Sequence, residues 1–405
     1  MAVGIEITRH VLPVAGVKLG VAQAGIKKPG RNDVTLIEIA ESAQVAAVFT
    51  KNRFCAAPVV VAKKHLEKKI PRYLLINTGN ANAGTGADGL ERAESTCEAL
   101  AELGHCSIQQ VLPFSTGVIG ETLPHEKIVR ALPDALENLS EDAWLSAASA
   151  IMTTDTVPKA FSRSVDIAGE KLVISGISKG SGMIKPDMAT MLSFVATNAQ
   201  VSADVLQSML LKAVNASFNS ITVDSDTSTN DACVLIATGQ SAIHIEDETS
   251  DAAVAFYQVL EEVMIFLAQA IIRDGEGATK FITVEVDQGT SSDECRQVAY
   301  TIAHSPLVKT AFFASDPNWG RILAAVGRAE ISDLQVEKVK IFLDDVCIVD
   351  GGERAASYTE AKGQAVMNKE DICIRVVLGR GNASARIWTS DLSYDYVKIN
   401  AEYRT

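Results

Sequence analysis

Short apolar runs of strand length recur along the chain, separated by turn residues or by helical periodicity. VTLIEIA (34–40) and VAAVFT (45–50) are strand-like and are parted by the turn-like ESAQ. YLLINTGNANAGTG (73–86) runs from a buried strand into a Gly/Asn-rich loop. ADGLERAESTCEALAELG follows with helical spacing and stops at Gly104. VLPFSTGVIGE (111–121) is a further apolar run that opens into a Ser-Thr-Gly turn. Within 161–178, FSRSVDI and KLVISGIS alternate polar and apolar residues around AGE, the pattern of a hairpin. LSFVATN (192–198) reads as strand, and SADVLQSMLLKAVNASF (202–218) as a helix with Ser202 at its N-cap. A strongly apolar helix over 249–273 and a strand over 280–288 come next. Beyond about residue 290, longer helices and strands alternate, marking a smaller α/β region at about 290–395. The tail DLSYDYVKINAEYRT carries tyrosines and alternation, so it is expected to be ordered and to return to the body of the protein.

Bulk properties exclude several function classes. The chain has 405 residues, 47% hydrophobic and only 5% aromatic, which favours packed strands and helices over base-stacking platforms. A formal net charge of −13 repels phosphate backbones and anionic membranes, so neither nucleic acid nor membrane is an expected partner. The densest basic run, AKKHLEKKI (62–70), reads as a solvated helix face. Seven scattered cysteines without a CxxC pair fit a reducing compartment. The six histidines show no HExxH and no zinc set, so no metal is expected. MAVGIEITRH resembles neither a secretory nor a transit peptide, and no uninterrupted apolar run reaches membrane-spanning length. The expected location is the cytoplasm. There is no GxSxG elbow, no GxxxxGK[ST] and no strand–GxGxxG–helix. The NTGNANAGTG loop lacks the lysine and spacing of a phosphate cradle and reads as a structural loop or site wall.

One segment remains unexplained by packing. KGSGMIKPDMATML (179–192) is interrupted by glycine and proline, yet ends in an apolar run that should be buried strand. Thr190 sits at that junction. Threonine is a weak nucleophile unless a base stands beside it, and one such base is the nucleophile's own α-amine. A free α-amine has a pKa of about 7.7–8.0, well suited to general-base work. An internal threonine gains that amine only if the preceding peptide bond is cut. Its hydroxyl can attack the Ala189 carbonyl in an N→O acyl shift, and the ester then hydrolyses. Ala189 offers little bulk at that carbonyl, and Pro186 with the glycines can hold a strained turn. On the residues alone, the segment also fits an ordinary connection whose threonine hydroxyl is simply satisfied.

The segment resembles the processing motif of the glutamate/ornithine N-acetyltransferase (ArgJ) family, in which the precursor cuts itself before the threonine of an Ala-Thr-Met-Leu sequence. Here that sequence is Ala189-Thr190-Met191-Leu192. STGVIGE (115–121), IMTTDTVPK (151–159), SKGSGMIKPDMATML (178–192), NSITVDSDTSTND (219–231), DGEGATK (274–280), DPNWGR (316–321) and YVKINAEYRT (396–405) all look like signatures of the same family, in order along the chain.

The resemblance implies a four-layer α-β-β-α sandwich of the self-processing N-terminal-nucleophile type, with a smaller α/β part late in the second chain. Residues 1–189 would form an α chain, and 190–405 a β chain beginning with the nucleophile Thr190. Thr116 and Gly117 match the oxyanion-hole pair, although on the residues alone they also read as an ordinary turn. Thr153, Lys179, Glu276, Asn400 and Thr405 match substrate-binding positions, as does Thr190 itself; Thr154 and Thr156 compete with Thr153 for its role. Lys179 suits a substrate carboxylate, and Glu276 the ammonium of ornithine. The implied reaction moves acetyl from N2-acetylornithine to glutamate with no cofactor. The resemblance also implies assembly as α2β2 or larger. Acetyl-CoA is a second donor in some members, although no R/Q-x-x-G-x-G/A loop is present. The rival readings are an N-terminal-nucleophile amidase or aminopeptidase that releases the acyl group to water, and a binding protein whose loop stays whole.

Overall fold

The computed structural model describes residues 2–5, 8–185 and 191–402. The candidates Ala189, Thr190 and Thr405 therefore lie outside the described residues. Two compact units are present. One is built from Ile7–Asn219 and Asp226–Ile271, and the other from Met1–Glu6, Ser220–Ser225 and Ile272–Thr405.

The strands up to residue 245 are β1 (Val17–Ala22), β2 (Val34–Ile39), β3 (Gln44–Phe49), β4 (Tyr73–Asn80), β5 (Val111–Val118) and β6 (Lys159–Ile167), then β7 (Glu170–Lys179), β8 (Leu192–Thr197), β9 (Gln200–Val201), β10 (Ile221–Thr222), β11 (Ala232–Ala237) and β12 (His244–Ile245). All but β10 belong to the first unit. Its helices are α1 (Ala57–Leu66), α2 (Gly86–Leu103), α3 (His125–Glu137), α4 (Trp144–Ala150), α5 (Ala203–Ala216) and the long α6 (Asp251–Arg273), which ends at the unit boundary.

Two sheets face each other here. One has the order β1-β2-β4-β5, with β4 and β5 parallel and the other pairs antiparallel. The second has the order β3-β11-β8-β7-β6, with β11 and β8 parallel. Alternate residues of both, among them Leu19, Ile37, Leu74, Ile76, Phe194 and Val234, form one apolar layer between them. Phe114 of β5 meets Phe194 of β8 edge to face, ring centroids 5.1 Å apart. The opposite face of the first sheet, with Val34, Leu36, Leu75 and Val111, is covered by α2 and α3. The face of α2 that does this is Ala93, Cys97, Leu100 and Ala101, a spacing of one side of a helix. Helix α6 lies on the outer side of the second sheet, where Phe266 stacks on Phe161 at 3.8 Å and Arg163 pairs with Glu262 at 2.6 Å. A Cβ at Gly176 would stand 2.9 Å from Leu267 Cδ1, so the glycine permits the helix to approach the sheet this closely. The layering is α-β-β-α. Although α6 is long and apolar enough to cross a membrane by composition, its residues Val263, Met264, Leu267, Ala268 and Ile271 are buried in the protein.

Two local expectations change, and the ESAQ connection joins different sheets. The strands flanking ESAQ are not partners: β2 belongs to the first sheet and β3 to the second, so the short connection crosses the sandwich. Ser202 stands at the N-cap of α5, but its side chain makes no capping bond. The basic run is only partly a solvated face, because α1 ends at Leu66 and His65 is buried, its Nδ1 2.8 Å from Val111 O.

The second unit adds β13 (Phe281–Gly289), β14 (Lys340–Leu343), β15 (Val346–Asp350), β16 (Glu353–Arg354), β17 (Asp371–Val377) and β18 (Ala383–Ser390), joined as β10-β18-β13-β17-β14-β15-β16. Helices α7 (Ser292–Ala303), α8 (Pro306–Phe313), α9 (Trp319–Gly327) and α10 (Glu360–Met367) bury their apolar sides against Ile282, Val284, Val286, Ile374 and Val376 of this sheet. The tail forms α11 (Tyr394–Ala401), with Ser393 Oγ accepting from Tyr396 N–H at 3.4 Å.

Candidate functional site

Strands β5 and β7 lie in opposite sheets, and their ends come together. The Lys179 ammonium, on the last residue of β7, donates to Thr116 Oγ1 at 3.2 Å. Thr116 is buried. A hydroxyl that accepts from an ammonium keeps its own proton for a further acceptor. The Ser-Thr-Gly segment is strand and not the turn its composition suggests. The parallel ladder carries on, setting Thr78 beside Thr116 and Gly79 beside Gly117. Gly117 has φ +134°, and a Cβ there would lie 2.3 Å from the Gly79 carbonyl carbon. The strands therefore bulge past each other where a side chain would end the pairing.

Buried asparagines hold this edge. Ser115 Oγ donates to Asn77 Oδ1 at 2.5 Å, and Asn77 Nδ2 donates to Asn80 O at 2.9 Å. Asn230 Nδ2 reaches both Ala81 O at 2.6 Å and Ser115 O at 2.9 Å. Asn77 within β4 and Asn230 before β11 thus satisfy backbone carbonyls at the end of β4, in the loop that follows it and in β5.

Thr153 enters the site through Asp155. The Thr153 N–H donates to Asp155 Oδ2 at 2.9 Å. Asp155 Oδ1 accepts from the Gly180 N–H at 2.8 Å and from Lys159 Nζ at 2.6 Å. Neither side chain of the Lys159–Asp155 pair is exposed. One carboxylate therefore ties the Thr-rich run to the residue that follows Lys179. Burial works to raise the Asp155 pKa, but the charges of Lys159 and Lys179, with the hydrogen bonds from Lys159 and Thr153, outweigh it. The carboxyl stays well below the usual carboxylate range. Of the competing threonines, Thr153 is half-buried and Thr156 is exposed.

Glu276 and Asn400 meet in the second unit, where Asn400 Nδ2 donates to Glu276 Oε2 at 2.8 Å. The buried Glu276 sits in a loop clasped by the tail. Asp391 Oδ1 accepts from the Thr279 and Lys280 N–H groups at 2.8 and 2.9 Å, and Ser393 Oγ donates to Gly277 O at 2.6 Å. Gly277 has φ +70°, and a Cβ would lie 2.5 Å from Tyr396 N. Only glycine lets the tail close this tightly. Asp155, Asn230 and Asp391 were not singled out from the sequence. The first two lie inside quoted motifs, and Asp155 stands four residues before Lys159, a spacing that permits ion pairing.

A sequence profile of the ArgJ family matches residues 18–405. The chain belongs to the ArgJ family. An arginine biosynthesis bifunctional protein ArgJ from Pseudomonas fluorescens (strain Pf0-1) is 59% identical over 406 residues, covering 100% of each chain. Another, from Methylococcus capsulatus, is 60% identical over 396 residues, covering 98% of this chain and 97% of its own. The crystal structure of an ArgJ protein from Bacillus halodurans is 40% identical with a TM-score of 0.50, covering 52% of this chain and 99% of that one. As a member of the ArgJ family, the chain is an acyltransferase of arginine biosynthesis.

Proposed function

We propose that the chain cuts its own backbone between Ala189 and Thr190, then transfers acetyl from N2-acetylornithine to glutamate through an acetyl ester on Thr190. The observation that carries this reading is the contact of Lys179 Nζ with Thr116 Oγ1 at 3.2 Å. A cation and a hydroxyl from strands of opposite sheets meet where the segment leading to Thr190 begins, which supports the reading. The freed Thr190 amine accepts the proton of its own hydroxyl, and Oγ adds to the acetyl carbonyl. The Thr116 hydroxyl and the Gly117 N–H hold the oxyanion, and the loss of one such donor typically costs about 2.7–4 kcal/mol of barrier. The C–N bond breaks, ornithine leaves with the proton, and the acetyl ester remains. Glutamate's amine then attacks the ester and gives a proton back to Thr190. Lys179 and Thr153 hold the shared α-carboxylate end, while Glu276, Asn400 and Thr405 hold the rest of the substrate. Acetyl-CoA serves as a second donor, no metal takes part, and residues 1–189 and 190–405 remain together as α2β2 or larger in the cytoplasm.

The test is to supply labelled N2-acetylornithine with and without glutamate. Label should appear in N-acetylglutamate, sustained turnover should require glutamate, and double-reciprocal plots should be parallel, as in a ping-pong scheme. Release of free acetate at the same rate without glutamate would contradict the transfer and favour an amidase.

A further inference from the structure

Asn230 stands just before β11, buried at 7% exposure, and the scheme above does not use it. Both hydrogens and the oxygen of its carboxamide are engaged. Nδ2 donates to Ala81 O at 2.6 Å and to Ser115 O at 2.9 Å, and Oδ1 accepts from the Thr229 hydroxyl at 2.7 Å. The short segment that carries it is itself pinned. Thr229 O and Asp231 O accept from the Ala56 and Thr50 N–H groups, both at 3.0 Å, and the Ala232 N–H donates to Met191 O, also at 3.0 Å. What Asn230 grips is an edge. β5 is the last strand of its sheet, so its outward backbone groups meet no further strand. Val118 O accepts from the Ala81 N–H, on the side of β4. Ser115 O, three residues earlier, turns the other way, to Asn230. Backbone groups of successive strand residues point to opposite edges, so the Gly117 N–H opens on the same outer edge as Ser115 O.

We propose that Asn230 is a positioning residue for the Thr116–Gly117 pair, an inference that rests on the oxyanion role read for that pair above. Ser115, the residue before Thr116, is held at two points: Asn77 takes its hydroxyl and Asn230 its carbonyl. With the Ser115–Thr116 peptide fixed in this way, the next peptide, which carries the Gly117 N–H, has its direction set. Lys179 engages the Thr116 hydroxyl from the opposite sheet. Donors aimed in advance stabilise a developing charge because they need not reorient as it forms. An edge strand without a neighbour would otherwise be the least constrained part of its sheet. A carboxamide suits the post, since it is neutral and brings two hydrogens to two carbonyls. An ionised carboxylate in its place would set negative oxygen against both.

The test is steady-state kinetics expressed per processed chain, the processed fraction being read by denaturing mass spectrometry. Asn230→Ala removes both donors, and Asn230→Asp keeps the shape but loses them when ionised. Both should lower kcat and kcat/KM for N2-acetylornithine together, by up to about 100-fold, the scale of a group displaced by about 1 Å. Thr229→Val frees only the Asn230 oxygen, a milder change that keeps the test open if the others do not fold, and should act in the same direction by a smaller factor. Thr116→Ala should by itself lower kcat by about 100- to 1,000-fold. Each of the other substitutions should then cost less beside Thr116→Ala than in the wild type, because part of what is positioned is already gone. A purely structural role would cost the same factor in both backgrounds. A wild-type kcat in any of the three variants that folds overturns the proposal, and so does an equal loss with and without the Thr116 hydroxyl. Thr116→Ala at the wild-type kcat instead refutes the oxyanion assignment, so the two failures are distinguishable.

Discussion

Alanine at position 190 should abolish acetyl transfer and leave the chain in one piece. The substitution removes the hydroxyl needed twice, once to attack the Ala189 carbonyl and once to carry the acetyl group. Without the first event no α-amine forms, so the base is lost with the nucleophile. Groups that act as one unit lose nearly everything together, and kcat should fall by at least about 10⁴-fold. Serine at the same position keeps a hydroxyl and should retain part of both reactions. Steady-state assays of the three proteins, each with its intact mass, check this. Undiminished transfer by Thr190→Ala would refute Thr190 as the acetyl carrier.

The largest effect on stability should follow Asp155→Asn. The amide can still accept from the Thr153 or Gly180 N–H, but it removes the carboxylate charge that Lys159 pairs with at 2.6 Å in a site with no exposure. Breaking a buried ion pair from one side typically costs about 3–5 kcal/mol. For a unit of this size, that corresponds to a melting temperature lower by roughly 10 °C. Replacing both partners by apolar residues, Asp155→Leu with Lys159→Met, should cost less than the single change, because no charge is left stranded. The pH dependence has a definite sign. The folded carboxyl lies below its unfolded value, so its stabilisation is complete above the unfolded carboxylate pKa of about 3.9 and fades as pH falls below it. The wild type should lose stability across that acid range and Asp155→Asn should lose less. Thermal melts of the three proteins between neutral and acidic pH measure both effects. A single variant melting within about 2 °C of wild type would contradict the ion-pair account.

Much of the fold is legible in local pattern. The hairpin of β6 and β7 shows because one face is buried and the other wet, so alternation marks it. The helix ending at Gly104 shows because its apolar spacing faces a single sheet. Elsewhere the decisive contact is distant. Nothing within ESAQ distinguishes a hairpin from a crossing between sheets, since that depends on which partners β2 and β3 find further along the chain. The Ser-Thr-Gly segment reads as a turn by composition, and only its pairing with Asn77–Gly79 makes it strand. The site divides in the same way. Thr116, Lys179, Glu276 and Asn400 were nominated by motif resemblance, and the structure adds the contacts between Lys179 and Thr116 and between Asn400 and Glu276. Asp155 is not legible in the sequence because a carboxylate's importance here lies in what buries it, and burial by other strands leaves no local mark.

The central claim is that backbone scission before Thr190 creates both attacker and base on one residue, and the intact mass of the wild-type chain under denaturing conditions tests it most directly. Two polypeptides, with the break after Ala189, are predicted. A single species of 43.1 kDa from protein that transfers acetyl at full rate would contradict it.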